Sequence, residues 1–257
     1  MPSTEANAML PTEKRAIAAL GLLYAFRMLG LFMVLPVLVL YAAEFERSSP
    51  LLIGLALGVY GLTQAVLQIP FGLLSDRVGR KPVIYGGLLL FFAGSLIAAG
   101  AQTIWAVILG RALQGSGAIS STVLALLGDV TRQEQRTKAM ALIGMSIGLT
   151  FALALVLGPW LSAGLGVSSI FWLTAALAVL GIFITWRLVP QAVAAPAFDG
   201  HSQPVSGFMR RALVHRELLR LNIGIFALHF ALTAAFVALP LLLRDLLGLD
   251  VAQHAWV

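Results

Sequence analysis

Seven stretches of this chain run for about twenty residues or more with scarcely a charged side chain, and no other feature limits the fold as tightly. They fall at 16–41, 51–74, 83–101, 103–127, 139–162, 168–187 and 221–243. A bilayer crossing needs about 20 apolar residues at about 1.5 Å rise each. In hydrocarbon each backbone N–H and C=O must find its partner within the segment, so each stretch is expected to be a helix. Composition agrees: 60% of residues are apolar and 11% are charged, against about 25% charged in a soluble domain. The first stretch follows Lys14-Arg15 as a leader peptide would. Its apolar run exceeds the roughly 7–15 residues of such a leader, so an uncleaved first span is expected. The sequence has no cysteine, which excludes a disulfide framework and any cysteine-based metal site.

The net charge is +6. In a soluble protein that balance points to nucleic acid, but here the bases sit in loops between apolar runs, so no nucleic-acid partner is expected. Thirteen Lys and Arg fall on one side of the alternating topology: the tail before span one, the loops after spans two and four, and the segment between spans six and seven. Two, Arg47 and Arg244, fall on the other, and Arg27 and Arg111 lie inside spans. The positive-inside rule puts the N-terminus in the cytoplasm and the end of span seven outside.

Organisation changes after span six. Residues 190–218 carry Pro190, Pro196 and Pro204 with Gly200 and Gly207, then the basic string MRRALVHRELLR. A cytoplasmic linker is expected at 188–218, ending either in an amphipathic helix on the inner membrane face or in a solvated basic segment. The expected units are a tail (1–15), a six-helix bundle (16–187), the linker, and the first helix of a second bundle (219–257). Phe26, Phe32, Leu35 and Pro36 of span one recur as Phe230, Phe236, Leu239 and Pro240, a constant offset. Such echoes are how many transporters are built. A weaker echo lies inside the first half, where Asp76 and Asp129 each end a span with arginines just after.

The run Gly72-Leu73-Leu74-Ser75-Asp76-Arg77-Val78-Gly79-Arg80-Lys81 resembles the signature G-x-L-x-D-R-x-G-R-K between the second and third helices of the major facilitator superfamily. Arg111-Ala112-Leu113-Gln114-Gly115 resembles that family's fourth-helix motif R-x-x-Q-G. Gly158-Pro159 resembles its antiporter motif, although Ala154 and Ser162-Ala163 stand where further glycines are usual. Longer strings, YGLTQAVLQIPFGLLSDRVGRKP among them, are similar to the YajR-type branch of the drug:proton antiporter group. The resemblance implies an all-α polytopic fold with a six-helix N-terminal bundle built as a 3+3 inverted repeat. It also implies twelve helices in all, so this chain reads as a fragment or a truncated gene product.

Asp76 closes span two at the negative end of a helix macrodipole, where a carboxylate is disfavoured. Arg80, Asp129 with its arginines, or, as the resemblance implies, a helix N-terminus of the second bundle would compensate it. The reading is a cytoplasmic latch formed by Gly72, Asp76, Arg77, Gly79, Arg80, Lys81 and Asp129, worth about 1–2 kcal/mol. Otherwise Arg77, Arg80 and Lys81 serve only topology. Gly72 is read as a close-approach position and Gly79 as a tight turn.

Arg27 and Arg111 lie about 17 Å and 12 Å into their spans by helix rise. Each costs about 2.5–3.5 kcal/mol at a helix centre, so neither is expected to face lipid. They either line a substrate or coupling cavity or form an internal hub with Gln64, Gln68 or Gln114 as acceptors. No Asp or Glu lies mid-span, which points to a neutral, amphipathic or anionic substrate. Histidine is the side chain whose unperturbed charge change falls near neutral pH, so His229, mid-span seven, is read either as the proton carrier or as a packed core residue. Gly144 and Gly148, like Gly54, Gly58 and Gly61, recur at helical spacing and are expected to allow close helix packing, as is the Gly158-Pro159 pair.

A retinal protein would need a lysine in its last span, and Lys14, Lys81 and Lys138 all lie outside the spans. A receptor would place its N-terminus outside, against the charge count. No HExxH, GxSxG or carboxylate cluster supports an enzyme. The expectation is a secondary transporter of the bacterial inner membrane working by alternating access, with proton-coupled efflux of a small molecule. The proton gradient is the coupling source, no cofactor or metal is called for, and the full-length protein is expected to act as a monomer in the bilayer. The competing reading is a fragment without transport activity of its own.

Overall fold

A computed structural model describes residues 9–41, 45–190 and 214–247. The described residues form eight α-helices and no β-sheet: α1 Pro11–Tyr41, α2 Pro50–Val78, α3 Arg80–Ala99, α4 Ile104–Ser116, α5 Ser120–Asp129, α6 Arg136–Leu165, α7 Ser168–Arg187 and α8 Arg216–Leu247. Their starts follow local chemistry. Ser49 Oγ accepts from Leu52 N (3.3 Å) ahead of Pro50 at the first turn of α2. Thr103 Oγ1 does the same for Ala106 N at α4 (3.3 Å). Both satisfy N–H groups that a helix start leaves open.

Six helices are long and apolar enough to cross a membrane. The expected fourth span, 103–127, is the exception: it is two shorter helices, α4 and α5, separated at Gly117-Ala118-Ile119. The cause is a close approach to α3. A Cβ on Gly117 would run into the Gly87 carbonyl, and one on Gly87 would meet Ile119 Cγ2. The break therefore lies in close contact with α3. Apolar length alone does not report this.

The helices pack mainly as α1 with α6, α2 with α4, α3 with α4, α3 with α7 and α1 with α7. Count α4 and α5 as one span and exchange spans one to three with spans four to six. The pairing then maps onto itself, the pattern expected of a 3+3 repeat. Two apolar layers result. Met33, Val37, Leu38, Ile104, Val107 and Phe171 fill the outer half. Leu20, Leu23, Ile84, Leu126, Leu127 and Ile143 fill the cytoplasmic half. Tyr60, Phe91 and Ala178 form a thin layer apart from both, and the buried arginines sit there.

The expected linker and its amphipathic segment fall largely on residues outside those described. Helix α8 begins at Arg216, inside the basic string, and its described contacts with the bundle are chiefly to α1.

Candidate functional site

The first site lies at the cytoplasmic ends of α2, α3 and α5. Gly79 both ends α2 and starts α3, with φ 96° and ψ 156°. That conformation is open almost only to glycine, and it turns Arg80 back over the end of α2. Arg80 Nη1 donates to Asp76 Oδ1 and to Ser75 Oγ (2.7 Å), and Nε donates to Asp129 Oδ2 at 2.9 Å. Ser75 Oγ in turn donates to Gly72 O at 2.7 Å. One guanidinium thus binds carboxylates at two helix C-termini, where each would otherwise face the negative end of a macrodipole. Arg77 is exposed and Lys81 half-buried. A Cβ on Gly72 would touch Ser121 Oγ at 3.4 Å. Ser75 escaped the sequence reading because a serine at the end of an apolar helix carries no distinguishing signal.

A second ion pair was also missed. The buried Glu13 carboxylate accepts from Arg132 N, Nε and Nη2, each at 3.0 Å, and from Leu10 N at 2.8 Å. It ties the start of α1 to the turn that follows Asp129. The Glu13 hydrogen bond raises Arg132 above its ordinary guanidinium value, outweighing desolvation. The signal was present: Pro11 followed by Glu13 places a proline at the first helical position and an acid at the third, a capping arrangement.

The second site lies mid-membrane. Arg27 on α1 is 3% exposed and Arg111 on α4 is fully buried. Tyr60 of α2 stands between them. Arg27 Nε and Nη2 donate to its hydroxyl at 3.4 and 3.3 Å, and the Arg111 guanidinium lies over its ring, 4.5 Å from the centroid. Arg27 Nη2 also donates to Gln64 Oε1 at 3.2 Å. Arg111 Nη1 donates to Gln114 Oε1 at 3.0 Å, and Gln114 Nε2 donates to Ser95 Oγ at 2.8 Å. No carboxylate joins this cluster among the described residues. Arg27 Nη1 and Arg111 Nε and Nη2 are buried without a described partner. Tyr60 was missed because an aromatic residue in an apolar helix looks like core until its neighbours are known.

A cavity of about 460 Å³ opens beside this cluster, between α1, α2 and α8, with Phe151 of α6 at its edge. Tyr60, Gln64, Gln68, His229 and Thr233 are its polar lining. His229 Nδ1 lies 2.9 Å from Ile225 O. Gly158 sits where α6 crosses α1: a Cβ there would come within 2.9 Å of Met33 O, and Pro159 beside it is buried. No described residue lies within 4 Å of a Cβ built at Gly144 or Gly148, nor at Gly54, Gly58 or Gly61.

Residues 20–257 match the model of the Major Facilitator Superfamily. The chain is 53% identical over 246 residues to the inner membrane transport protein YajR of Escherichia coli, covering 96% of this chain and 54% of that protein. It is 31% identical over 246 residues to the multidrug resistance protein MdtL of Shigella dysenteriae, covering 93% of this chain and 60% of MdtL. Its fold is similar to the crystal structure of a bacterial homolog of the human lysosomal transporter Spinster, inward-facing and unoccupied. That match has a TM-score of 0.78 and 17% identity, and covers 96% of this chain and 59% of the other. The chain thus spans little more than half the length of the relatives it matches. Motifs, helix pairing and these likenesses agree, and the chain belongs to the major facilitator superfamily of membrane transporters.

Proposed function

We propose that this chain is the N-terminal part of an alternating-access secondary transporter of the bacterial inner membrane, coupling proton entry to efflux of a small amphipathic compound, neutral or anionic. The observation that carries the reading is the Arg80 guanidinium shared between Asp76 and Asp129. It pins three helix ends together at the cytoplasmic mouth, where a latch would hold one state of a two-state equilibrium. An interaction of about 1–2 kcal/mol there biases such an equilibrium roughly tenfold. The MdtL name supports export as the direction. His229, whose side chain lines the cavity between α1, α2 and α8, is our candidate for the proton carrier. The activity is proposed for the protein in which a second bundle accompanies this one, since one bundle and one further helix have nothing to rock against.

The test is proton-driven uptake into inverted vesicles holding the full-length transporter, using one neutral, one anionic and one cationic amphipathic dye. Gradient-dependent movement of the neutral or anionic dye, slowed by Asp76→Asn, is expected. Movement of the cation alone would overturn the substrate reading. Equal rates for wild type and Asp76→Asn would remove the latch.

A further inference from the structure

We infer that the cavity between α1, α2 and α8 binds the headgroup of an amphipathic monocarboxylate. The inference rests on the transporter reading above and names the class of compound that the site takes. It follows from counting donors and acceptors on the polar wall. The Tyr60 oxygen accepts twice from Arg27, so its lone pairs are engaged while its own O–H proton has no described acceptor. Gln64 Oε1 also accepts from Arg27. That bond fixes the amide orientation and leaves the Gln64 N–H2 group to donate. The Gln68 oxygen is buried without a described partner and remains an open acceptor. At His229, Nδ1 faces the Ile225 carbonyl and donates to it, so Nε2 is an acceptor on the neutral ring and donates to a ligand only on the imidazolium.

Arg27 thus takes up the acceptors of Tyr60 and Gln64 and leaves the Tyr60 O–H and the Gln64 N–H2 group to donate. Behind the wall stands a buried positive charge with one N–H2 group, Nη1, still unpartnered. Among the described residues no Asp or Glu lines the cavity. A cationic ligand would meet repulsion from Arg27 and no described carboxylate to neutralise it. A carboxylate has two acceptor oxygens, no donor and one negative charge, which matches the free Tyr60 and Gln64 donors and the single guanidinium. The remaining lining is apolar, with Leu31, Phe32, Leu57 and Leu232, so the body of the ligand is hydrocarbon or aromatic.

The probe is 4-butylbenzoate, compared with 4-butylbenzamide and 4-butylbenzylammonium, titrated calorimetrically into the full-length transporter in lipid nanodiscs. The benzoate is expected to bind at least tenfold more tightly than either analogue, and Arg27→Gln is expected to erase that preference. Equal affinity for amide and benzoate, or a preference that survives Arg27→Gln, overturns the inference. Should Arg27→Gln not yield folded protein, Gln64→Leu removes one donor at a half-buried position; a loss of benzoate affinity of at least threefold with the amide unchanged supports the site, and no loss overturns it. Transport in the same vesicles separates the two claims. Proton-driven movement of amide and benzoate alike leaves the transporter standing and sinks the carboxylate site. Selective benzoate binding without any proton-driven movement does the reverse.

Discussion

The cytoplasmic turn and the mid-membrane cluster balance charge in opposite ways. At the turn, one partly buried guanidinium serves two carboxylates, and those carboxylates keep substantial contact with solvent. In the cluster, two buried guanidiniums share a tyrosine and two glutamines, with no described acid. A cation over a desolvated ring gains about 2 kcal/mol, while a cation at a helix centre costs about 2.5–3.5 kcal/mol. The two nearly offset, and the remainder falls to hydrogen bonds and to a ligand. The turn is closed in itself and suits a device that holds a conformation. The cluster is left wanting an anion and suits a device that takes one up.

This contrast breaks or sharpens under substitution. The largest effect is expected at Arg111. Arg111→Met should cut proton-driven uptake at least a hundredfold, yet leave insertion and melting temperature nearly unchanged, because removing a buried cation that has no described acid partner offsets the lost Tyr60 ring contact and the lost bond to Gln114. Fluorescence-detected chromatography on heating checks this. A collapse in folded yield would make Arg111 a structural hub and would blur the contrast. Arg80→Met should do less to transport, about tenfold on the latch estimate above, but should also lower stability, since Asp76 and Asp129 then face two helix C-termini unneutralised. Asp76→Asn should fall between Arg80→Met and wild type in both respects. The smallest effect belongs to Gly79→Ala, where a side chain at φ 96° costs about 1–3 kcal/mol of strain. It should lower melting temperature and slow uptake only as far as it shifts Arg80 away from Asp129, a gap that cross-linking of paired cysteines would read.

How much of this was legible in the sequence varies by site. At the turn, Asp76, Gly79 and Arg80 stand within five positions of one another, so their meeting is nearly local. Asp129 announced itself by repeating an acid-then-arginine pattern at a span end. The cluster was half legible. Arg27 and Arg111 stood out because charge is rare in hydrocarbon, and Gln64 and Gln114 were natural acceptors. Tyr60 was hidden because a lone aromatic residue in a span is ordinary. The glycine stripes at 54–61 and 144–148 matched a packing pattern, yet they lie against no described helix; a small-residue period says that close approach is possible, not which partner makes it.

The sequence by itself determined the solvent, the spans, their orientation and the family, because hydropathy, charge placement and a ten-residue motif act over short stretches of chain. Tertiary structure alone decided that the fourth span breaks where α3 presses against it. It also decided that Arg80 is shared between two helix ends, that Glu13 holds Arg132 across 119 positions, and that one tyrosine joins two arginines. Those outcomes depend on which helix faces which, and that is settled by packing of the whole bundle rather than by any local run of residues.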